Sequence, residues 1–252
     1  MVLAQSAHEL RDTWRMNSSP IRAITLDLDD TLWPIWPVIE RAEQALHEWL
    51  LRHCPRTAER FPIVEMRALR ASVADAHPHL THDYCAQRTL SLQQAMRASG
   101  EDPAGASEAF EVFMAERNRV DLYPDALDGL HRLGAQHRLA ALTNGNADLQ
   151  RIGLATHFEF ALGAREFGRA KPDPSIFLAA CARLDLAPHE VLHVGDDPEL
   201  DVLGARAAGL HCAWINRRDE QWTHECAPDI TITSLLQLAD WLDSRPTAKS
   251  PT

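Results

Sequence analysis

Short apolar runs alternate with amphipathic stretches along most of the chain, and one long segment breaks the alternation. Residues 21–28 (IRAITLDL) form an apolar run that ends in acid and predicts a strand. From residue 38 the period changes, with Val38, Ile39, Ala42, Ala45, Leu46, Trp49 and Leu50 recurring at helical spacing. Further helical stretches follow at about 63–76, 83–98 and 105–117, the last with Ala106, Ala109, Phe110 and Phe113 on one stripe. Residues 34–117 thus predict four helices and no strand.

After Tyr123-Pro124 strands return. A helix at about 124–135 leads to the strand RLAALTN, a helix at 147–154 to the short strand FEFALG, and a helix at 174–185 to VLHVGDD. PELDVLGARAAGL reads as a helix stopped by Gly209, before a last strand, HCAWIN. Strands alternating with helices predict an α/β fold: a Rossmann-like parallel sheet flanked by helices. The first strand belongs to this sheet, so the helical block is an all-α, four-helix insertion. The expected organisation is an N-terminal extension at 1–19, a core at 20–33 and 118–245, the insertion at 34–117 and a disordered tail at 246–252.

Composition narrows the classes. With 25 basic and 36 acidic residues the formal charge of the 252-residue chain is −11, which disfavours nucleic-acid and anionic-membrane binding. No stretch approaches the ~20 apolar residues of a membrane span, and the N-terminus lacks the pattern of a secretory signal. Cys54, Cys85, Cys181, Cys212 and Cys226 are odd in number, without C-x-x-C spacing. They predict free thiols and a cytoplasmic protein. A monomer or homodimer is expected.

Three strands end in polar groups: Asp27 and Asp29 on the first, Thr143-Asn144-Gly145 on the second, and Gly195-Asp196-Asp197 on the fourth, with Asp201 following and Lys171-Pro172 in between. Ligands of open parallel sheets bind at these carboxyl ends. Residues two apart on a strand share a face, so Asp27 and Asp29 reach one site while Asp30 serves the turn. Carboxylates from two strands make an oxygen nest for a hard cation, Mg²⁺ before Zn²⁺. With a lysine, a hydroxyl and backbone N–H groups beside it, such a nest suits phosphoryl transfer.

Asp27-Leu28-Asp29-Asp30-Thr31, Thr143-Asn144, Lys171-Pro172 and Gly195-Asp196-Asp197 with Asp201 resemble, in order and spacing, the four motifs of the haloacid dehalogenase superfamily. The resemblance covers about residues 21–240, and the helical insertion is similar to that family's C1-type cap. It implies that Asp27 attacks phosphorus to form an aspartyl-phosphate, and that Asp29 protonates the leaving alcohol and then activates water. It implies Mg²⁺ held by Asp27, the backbone carbonyl of Asp29 and Asp196. Thr143, Asn144 and Lys171 would hold the phosphate, with Asp197 and Asp201 behind the metal or orienting Lys171. Members that cleave halides usually lack the second aspartate, so Asp29 favours a phosphatase. The stretches HPHLTHDYCAQRTL, ALTNGNADL, GRAKPDPSIF and LHVGDDPELD further resemble a branch that dephosphorylates flavin mononucleotide and 5-amino-6-(5-phospho-D-ribitylamino)uracil in riboflavin synthesis. Sugar phosphates and nucleotides are the alternative small-molecule substrates.

Outside the motifs, His82, Asp83 and Arg88 read either as a capped helix with an exposed arginine or as substrate-facing groups. Trp33 and Trp36, flanked by Pro34 and Pro37, read as hinge packing or as rings that stack on a substrate. His77, His79 and His82 lack a second ligand set for zinc and read as a loop or helix start. Two rivals of other classes are a receiver-like phospho-switch and a non-catalytic binding protein. The first puts its acidic pair ahead of the phosphorylated aspartate and leaves no room for the insertion, and the second is at odds with intact motifs.

Overall fold

The expected first strand forms as β1 (Ala23–Leu26), buried at every position. The computed structural model describes residues 20–245, so the expected extension at 1–19 and tail at 246–252 lie outside the described residues. After β1 come α1 (Ile35–His53), α2 (Pro55–Arg60), α3 (Ile63–Ala76), α4 (Tyr84–Ala98) and α5 (Ala106–Arg117). The four expected helices of this segment are joined by a short one, α2, which starts on Pro55. The chain continues through α6 (Ala126–Gly134), β2 (Arg138–Thr143), α7 (Leu149–Ile152), β3 (Ala161–Gly163), α8 (Ala164–Phe167) and α9 (Pro174–Leu184). It ends with β4 (Val191–Gly195), α10 (Gly204–Ala207), β5 (His211–Ile215), β6 (Ile230–Ile232) and α11 (Leu235–Asp243).

The strands form one parallel sheet in the order β3-β2-β1-β4-β5-β6. Both faces are covered, as a wholly parallel sheet requires. Ile24, Leu26, Leu130, Leu235 and Leu238 fill one side, while Ile176, Phe177, Leu184 and Val202 fill the other. The inserted helices have an apolar core of their own, including Leu46, Trp49, Leu92, Met96 and Phe113. Leu26 sits level with Ala141 of β2 and Val194 of β4, so the acidic residues after β1 and β4 emerge side by side at the switch point of strand order.

Two departures from expectation matter. β6 and α11 extend the sheet edge beyond HCAWIN. The helix expected from Pro198 is wound as a wider π-helical turn over Pro198–Leu203 before becoming α10. Such turns often mark functional sites, and this one carries Asp201.

A half-buried ion pair ties the end of β5 to the loop behind β1. Arg217 donates to both carboxylate oxygens of Asp125, at 2.8 and 3.1 Å, and to the carbonyl of Thr31. Asp125 also accepts from the Leu235 amide that opens α11. Burial opposes its charge, but Arg217 and the amide outweigh it and hold the carboxyl below its usual range. Asp125→Ala removes the guanidinium's carboxylate partner and the acceptor of the Leu235 amide, and is expected to cost about 1–3 kcal/mol. Since the folded pKa is depressed, this stability is present above the unfolded carboxyl pKa of about 4 and lost as pH falls through the folded value. Thermal melts of both proteins should therefore differ at pH 7 and converge towards pH 3; a constant gap would refute the assignment.

Candidate active site

Asp27 continues β1 and its amide donates to the Val194 carbonyl at 2.9 Å, which fixes its backbone against β4. Its carboxylate accepts from Lys171 Nζ at 2.6 Å, and the same ammonium donates to Asp201 Oδ1 at 2.6 Å. Lys171 is buried, and its third N–H is uncommitted by these bonds. Burial works against its charge, but Asp201 and Asp27 outweigh burial and push the ammonium's pKa upward. Asp201 Oδ1 also meets His193 Nε2 at 3.1 Å, while the other ring nitrogen bonds Thr25. Burial disfavours the Asp201 carboxylate, yet Lys171 and His193 hold its pKa well below the usual range. Asp27 comes out the other way: burial, reinforced by Asp201 and Asp29, prevails over Lys171 and raises its carboxyl. A Cβ on Gly195 would lie 2.1 Å from Asp201 Cγ, so the π-helical turn reaches Lys171 only because β4 ends in glycine.

Asp196 stands beside this group. Its carbonyl accepts from the Trp214 indole at 2.8 Å and its carboxylate from the Thr31 hydroxyl at 3.3 Å. Burial, with Asp27 adding to it, pushes its carboxyl up to about 8. Among the described residues, oxygens of Asp27, Asp196 and Asp201 form the one group of potential metal ligands, within 4.8 Å of one another. Both oxygens of Asp201 are already engaged, with Lys171, His193 and the Asp197 amide. Asp27 and Asp196 are thus the carboxylates available to a cation. The direct partners of Asp27, Asp29 and Asp201 are two buried cations, Lys171 and Arg117, while Asp196 meets only the exposed Arg218, at 3.5 Å, so carboxylates outnumber the cations paired with them. An all-oxygen set with that balance fits a hard divalent ion. Asp197 serves the backbone: its Oδ1 accepts from the Glu199 and Leu200 amides and starts the π-helical turn.

Thr143 and Asn144 close the opposite side. The Thr143 hydroxyl accepts from the Gly145 amide at 2.9 Å. Asn144, expected among the phosphate-holding residues, has its side chain committed elsewhere. Its amide donates to the Lys171 carbonyl at 2.9 Å and its oxygen accepts from the Lys171 amide at 2.7 Å. It clamps the lysine's backbone rather than offering its side chain to a ligand.

Asp29 does turn to the same cavity as Asp27, but through partners the motifs did not announce. Arg117 Nη2 lies 2.8 and 2.7 Å from its two oxygens, and the Trp33 indole donates to Oδ1 at 2.9 Å. Burial raises the Asp29 carboxyl against the pull of both partners. A Cβ on Gly145 would lie 2.4 Å from Asp29 Oδ2, so the second strand's loop must be glycine there. Trp33, expected among the substrate-facing candidates, is fully buried and cannot stack on a ligand; its indole N–H holds Asp29 instead.

The cavity measures about 470 Å³, in the range of small-molecule sites. Opposite the carboxylates it is lined by Trp36 and Ile39 of α1, Arg70 of α3, Tyr84 and Gln87 of α4, and Phe113 of α5. Arg88 also lines it, buried, its guanidinium 3.6 Å from the Phe113 ring centre and 3.8 Å from Glu43. His82 and Asp83 do not reach it. Asp83 caps α4 by accepting from the Ala86 amide, and Arg165 approaches it at 3.5 Å. His77 and His79 meet edge to edge at 5.6 Å and form no ligand cluster with His82. Cys54, Cys85, Cys181 and Cys212 are buried free thiols and Cys226 is exposed. Among the described residues no helix is long and apolar enough to cross a membrane.

Comparison with known proteins agrees with this architecture. The family model of haloacid dehalogenase-like hydrolases matches residues 21–209. A 5-amino-6-(5-phospho-D-ribitylamino)uracil phosphatase of Escherichia coli is 35% identical over 226 residues, covering 86% of this chain and 94% of that protein. A phosphoserine phosphatase of Thermus thermophilus is 40% identical over 159 residues, 60% of this chain and 63% of its own length. The crystal structure of a 2-haloacid dehalogenase from Pseudomonas syringae superposes with a TM-score of 0.84 at 37% identity, covering 88% of this chain and 98% of that one. The chain is therefore an enzyme of the haloacid dehalogenase-like hydrolase family, among whose phosphatases its curated relatives fall.

Proposed function

We propose that the chain is a Mg²⁺-dependent phosphomonoester hydrolase that works through an aspartyl-phosphate. The observation that carries this reading is the pairing of two differently held carboxylates, Asp27 on Lys171 and Asp29 on Arg117 and Trp33, at one cavity. Asp27 attacks phosphorus. The ester P–O bond breaks, and its electron pair leaves with the alcohol oxygen, which takes a proton from Asp29. Water then attacks phosphorus, gives a proton to Asp29, and the bond to Asp27 breaks, so that one water is consumed for each alcohol and phosphate released. Two carboxylates in unlike surroundings can divide nucleophile and acid–base duties. Asp27 and Asp196, with the backbone carbonyl of Asp29, would hold the Mg²⁺, which supplies charge neutralisation for the phosphoryl oxygens. The third N–H of Lys171 and the Thr143 hydroxyl would meet those oxygens.

For the alcohol portion we favour a flat polar ring carried on a ribityl chain, as in flavin mononucleotide or 5-amino-6-(5-phospho-D-ribitylamino)uracil. Trp36 and Tyr84 are exposed aromatic side chains at this cavity, and Arg70 lines it as a donor for ring carbonyls. The similarity to the E. coli ribitylaminouracil phosphatase supports this choice. A panel of both compounds, sugar phosphates, nucleotides and p-nitrophenyl phosphate, with Mg²⁺ or EDTA, tests it. The two ring-bearing compounds are expected to lead in kcat/KM, and EDTA to abolish turnover. Sugar phosphates ahead of them would refute the ring assignment. Metal-independent release would refute the mechanism. The likeness to a 2-haloacid dehalogenase favours a second reading, so L-2-chloropropionate belongs in the panel; halide release above phosphate release would establish that reading instead. Within the panel, Trp36→Ala should raise KM for flavin mononucleotide about tenfold, the loss of one stacking contact of ~1.4 kcal/mol, with p-nitrophenyl phosphate changed far less.

A further inference from the structure

Arg117 belongs to none of the expected motifs, yet it makes the shortest contacts to Asp29. It is the last residue of α5, where the inserted helices hand the chain back to the sheet, and its side chain is buried. Nη2 donates to both oxygens of Asp29, and Nε donates to Asn146 Oδ1 at 3.2 Å. The guanidinium therefore joins the loops that follow two adjacent strands: the acidic loop after β1 and the loop after β2. Gly145, between the residues it joins, leaves room for this pair, since a Cβ there would meet both Asp29 Oδ2 and Arg117 Nη2.

One further detail speaks against a purely structural staple. Arg117 Nη1 is buried without a hydrogen-bond partner among the described residues. A buried donor left unpaired costs about 1–3 kcal/mol, so a guanidinium placed for stability alone would have its fork filled. Arg117 also lines the cavity that holds Asp27 and Lys171. A lysine could supply charge at this spot, but not two donors from one plane to Asp29 and Asn146 at once.

We propose that Arg117 is a positioning residue for the acid–base carboxylate: it fixes Asp29 over the second strand's loop at the place where the leaving oxygen and later the attacking water exchange protons. The proposal rests on the phosphomonoesterase reading above and adds to it that the end of the helical insertion sets the geometry of proton transfer. Without Arg117, Asp29 keeps only the Trp33 indole and the carboxylate swings. Attack by Asp27 does not require Arg117, because Lys171 holds the nucleophile from the other side.

The test uses the full chain with Mg²⁺ and compares wild type, Arg117→Lys, Arg117→Gln, Asp29→Asn and the double variant Asp29→Asn/Arg117→Lys. Flavin mononucleotide is an alkyl ester whose leaving oxygen needs a proton, whereas p-nitrophenolate leaves without one. Both Arg117 variants are expected to lower kcat for flavin mononucleotide about 100-fold, the usual range for losing positioned general acid–base catalysis, with KM changed less than about threefold. With p-nitrophenyl phosphate they should keep a rapid burst of one nitrophenolate per enzyme, followed by slow turnover, because only hydrolysis of the aspartyl-phosphate then needs Asp29. The double variant should be no slower than Asp29→Asn alone, as expected for groups acting as a unit. Equal losses on both esters without a burst, or a double variant slower than Asp29→Asn, would overturn the proposal. So would Arg117 variants as active as wild type. Circular dichroism melts identify a variant that fails to fold, and Arg117→Lys, which keeps the charge, guards against that. A wild type that releases neither product overturns the phosphatase reading itself, an outcome separate from the others.

Discussion

Asp27→Asn is expected to abolish turnover, lowering kcat by about 10⁴-fold or more, while leaving the fold intact and raising the melting temperature at pH 8 in EDTA. The first half follows from the proposed chemistry: an amide oxygen cannot form the aspartyl-phosphate, and the neighbouring carboxylates have other duties, Asp196 being the one that would hold the cation. Asp201 is held by Lys171 and His193, and Asp29 by Arg117 and Trp33. The second half follows from burial. Burial and two neighbouring carboxylates raise the Asp27 carboxyl above its ordinary value despite Lys171. A folded pKa above the unfolded one means that the stability present below the unfolded value is lost as pH rises through the folded value. Asn is a neutral isostere and escapes that loss. The two proteins should melt together near pH 4 and diverge towards pH 8, with the variant more stable. Activity lost with stability gained is the signature of a charge kept for function. An Asp27→Asn protein that retains wild-type turnover would remove Asp27 from the nucleophile's role; one that melts lower at pH 8 would show that the Lys171 pair outweighs burial.

The sheet and its polar strand ends were legible in the sequence because each signal is local. IRAITLDL, RLAALTN and VLHVGDD are short apolar runs ending in polar residues, and a parallel sheet places such ends together. The inserted helices were legible from their period, as Trp49, Leu92, Met96 and Phe113 sharing one core reflects. Ser234 followed by Leu235, Leu238 and Ala239 carried a cap and a helical stripe that would have announced α11. What was not legible depends on contacts between distant residues. Arg117 reads as the polar end of an amphipathic helix until the fold sets it against Asp29, 88 positions earlier. Trp33 lies four residues from Asp29, close enough to suggest a contact, but whether its ring faces a ligand or its N–H faces a carboxylate is decided by packing. Asn144 matches a phosphate-binding pattern, but that its side chain clamps Lys171 is set by the loop carrying the lysine, which passes within hydrogen-bond reach. His193 sits mid-strand, where an apolar residue is the default, and its ring is held between Thr25 of β1 and the Asp201 that the π-helical turn returns to it.

Lys171→Met is expected to damage stability and activity together, in contrast to the divergence at Asp27. The ammonium is the shared cation of two buried carboxylates, at 2.6 Å from each, with Asp196 alongside. Methionine fills the aliphatic volume and removes the charge, leaving buried carboxylates facing one another, a situation that costs about 3–5 kcal/mol. For a chain of this size that corresponds to roughly 10 °C in melting temperature. The sign with pH is set by Asp201, whose carboxyl Lys171 and His193 hold below its usual range against burial. Its stabilising contribution is present above the unfolded carboxyl pKa of about 4 and is lost as pH falls through the folded value. Melts in EDTA should therefore show the largest gap between wild type and Lys171→Met near pH 8 and little gap near pH 3. Activity should fall about 10³-fold in kcat/KM, because the ammonium both aligns Asp27 and offers its third N–H to the phosphoryl group. Combining the two substitutions separates these roles. Asp27→Asn/Lys171→Met relieves one of the stranded carboxylates, so it should melt above Lys171→Met while remaining inactive. If Lys171→Met melts with wild type across the whole pH range, the lysine is not the counter-charge of Asp27 and Asp201, and another cation must hold the carboxylates together in the resting protein.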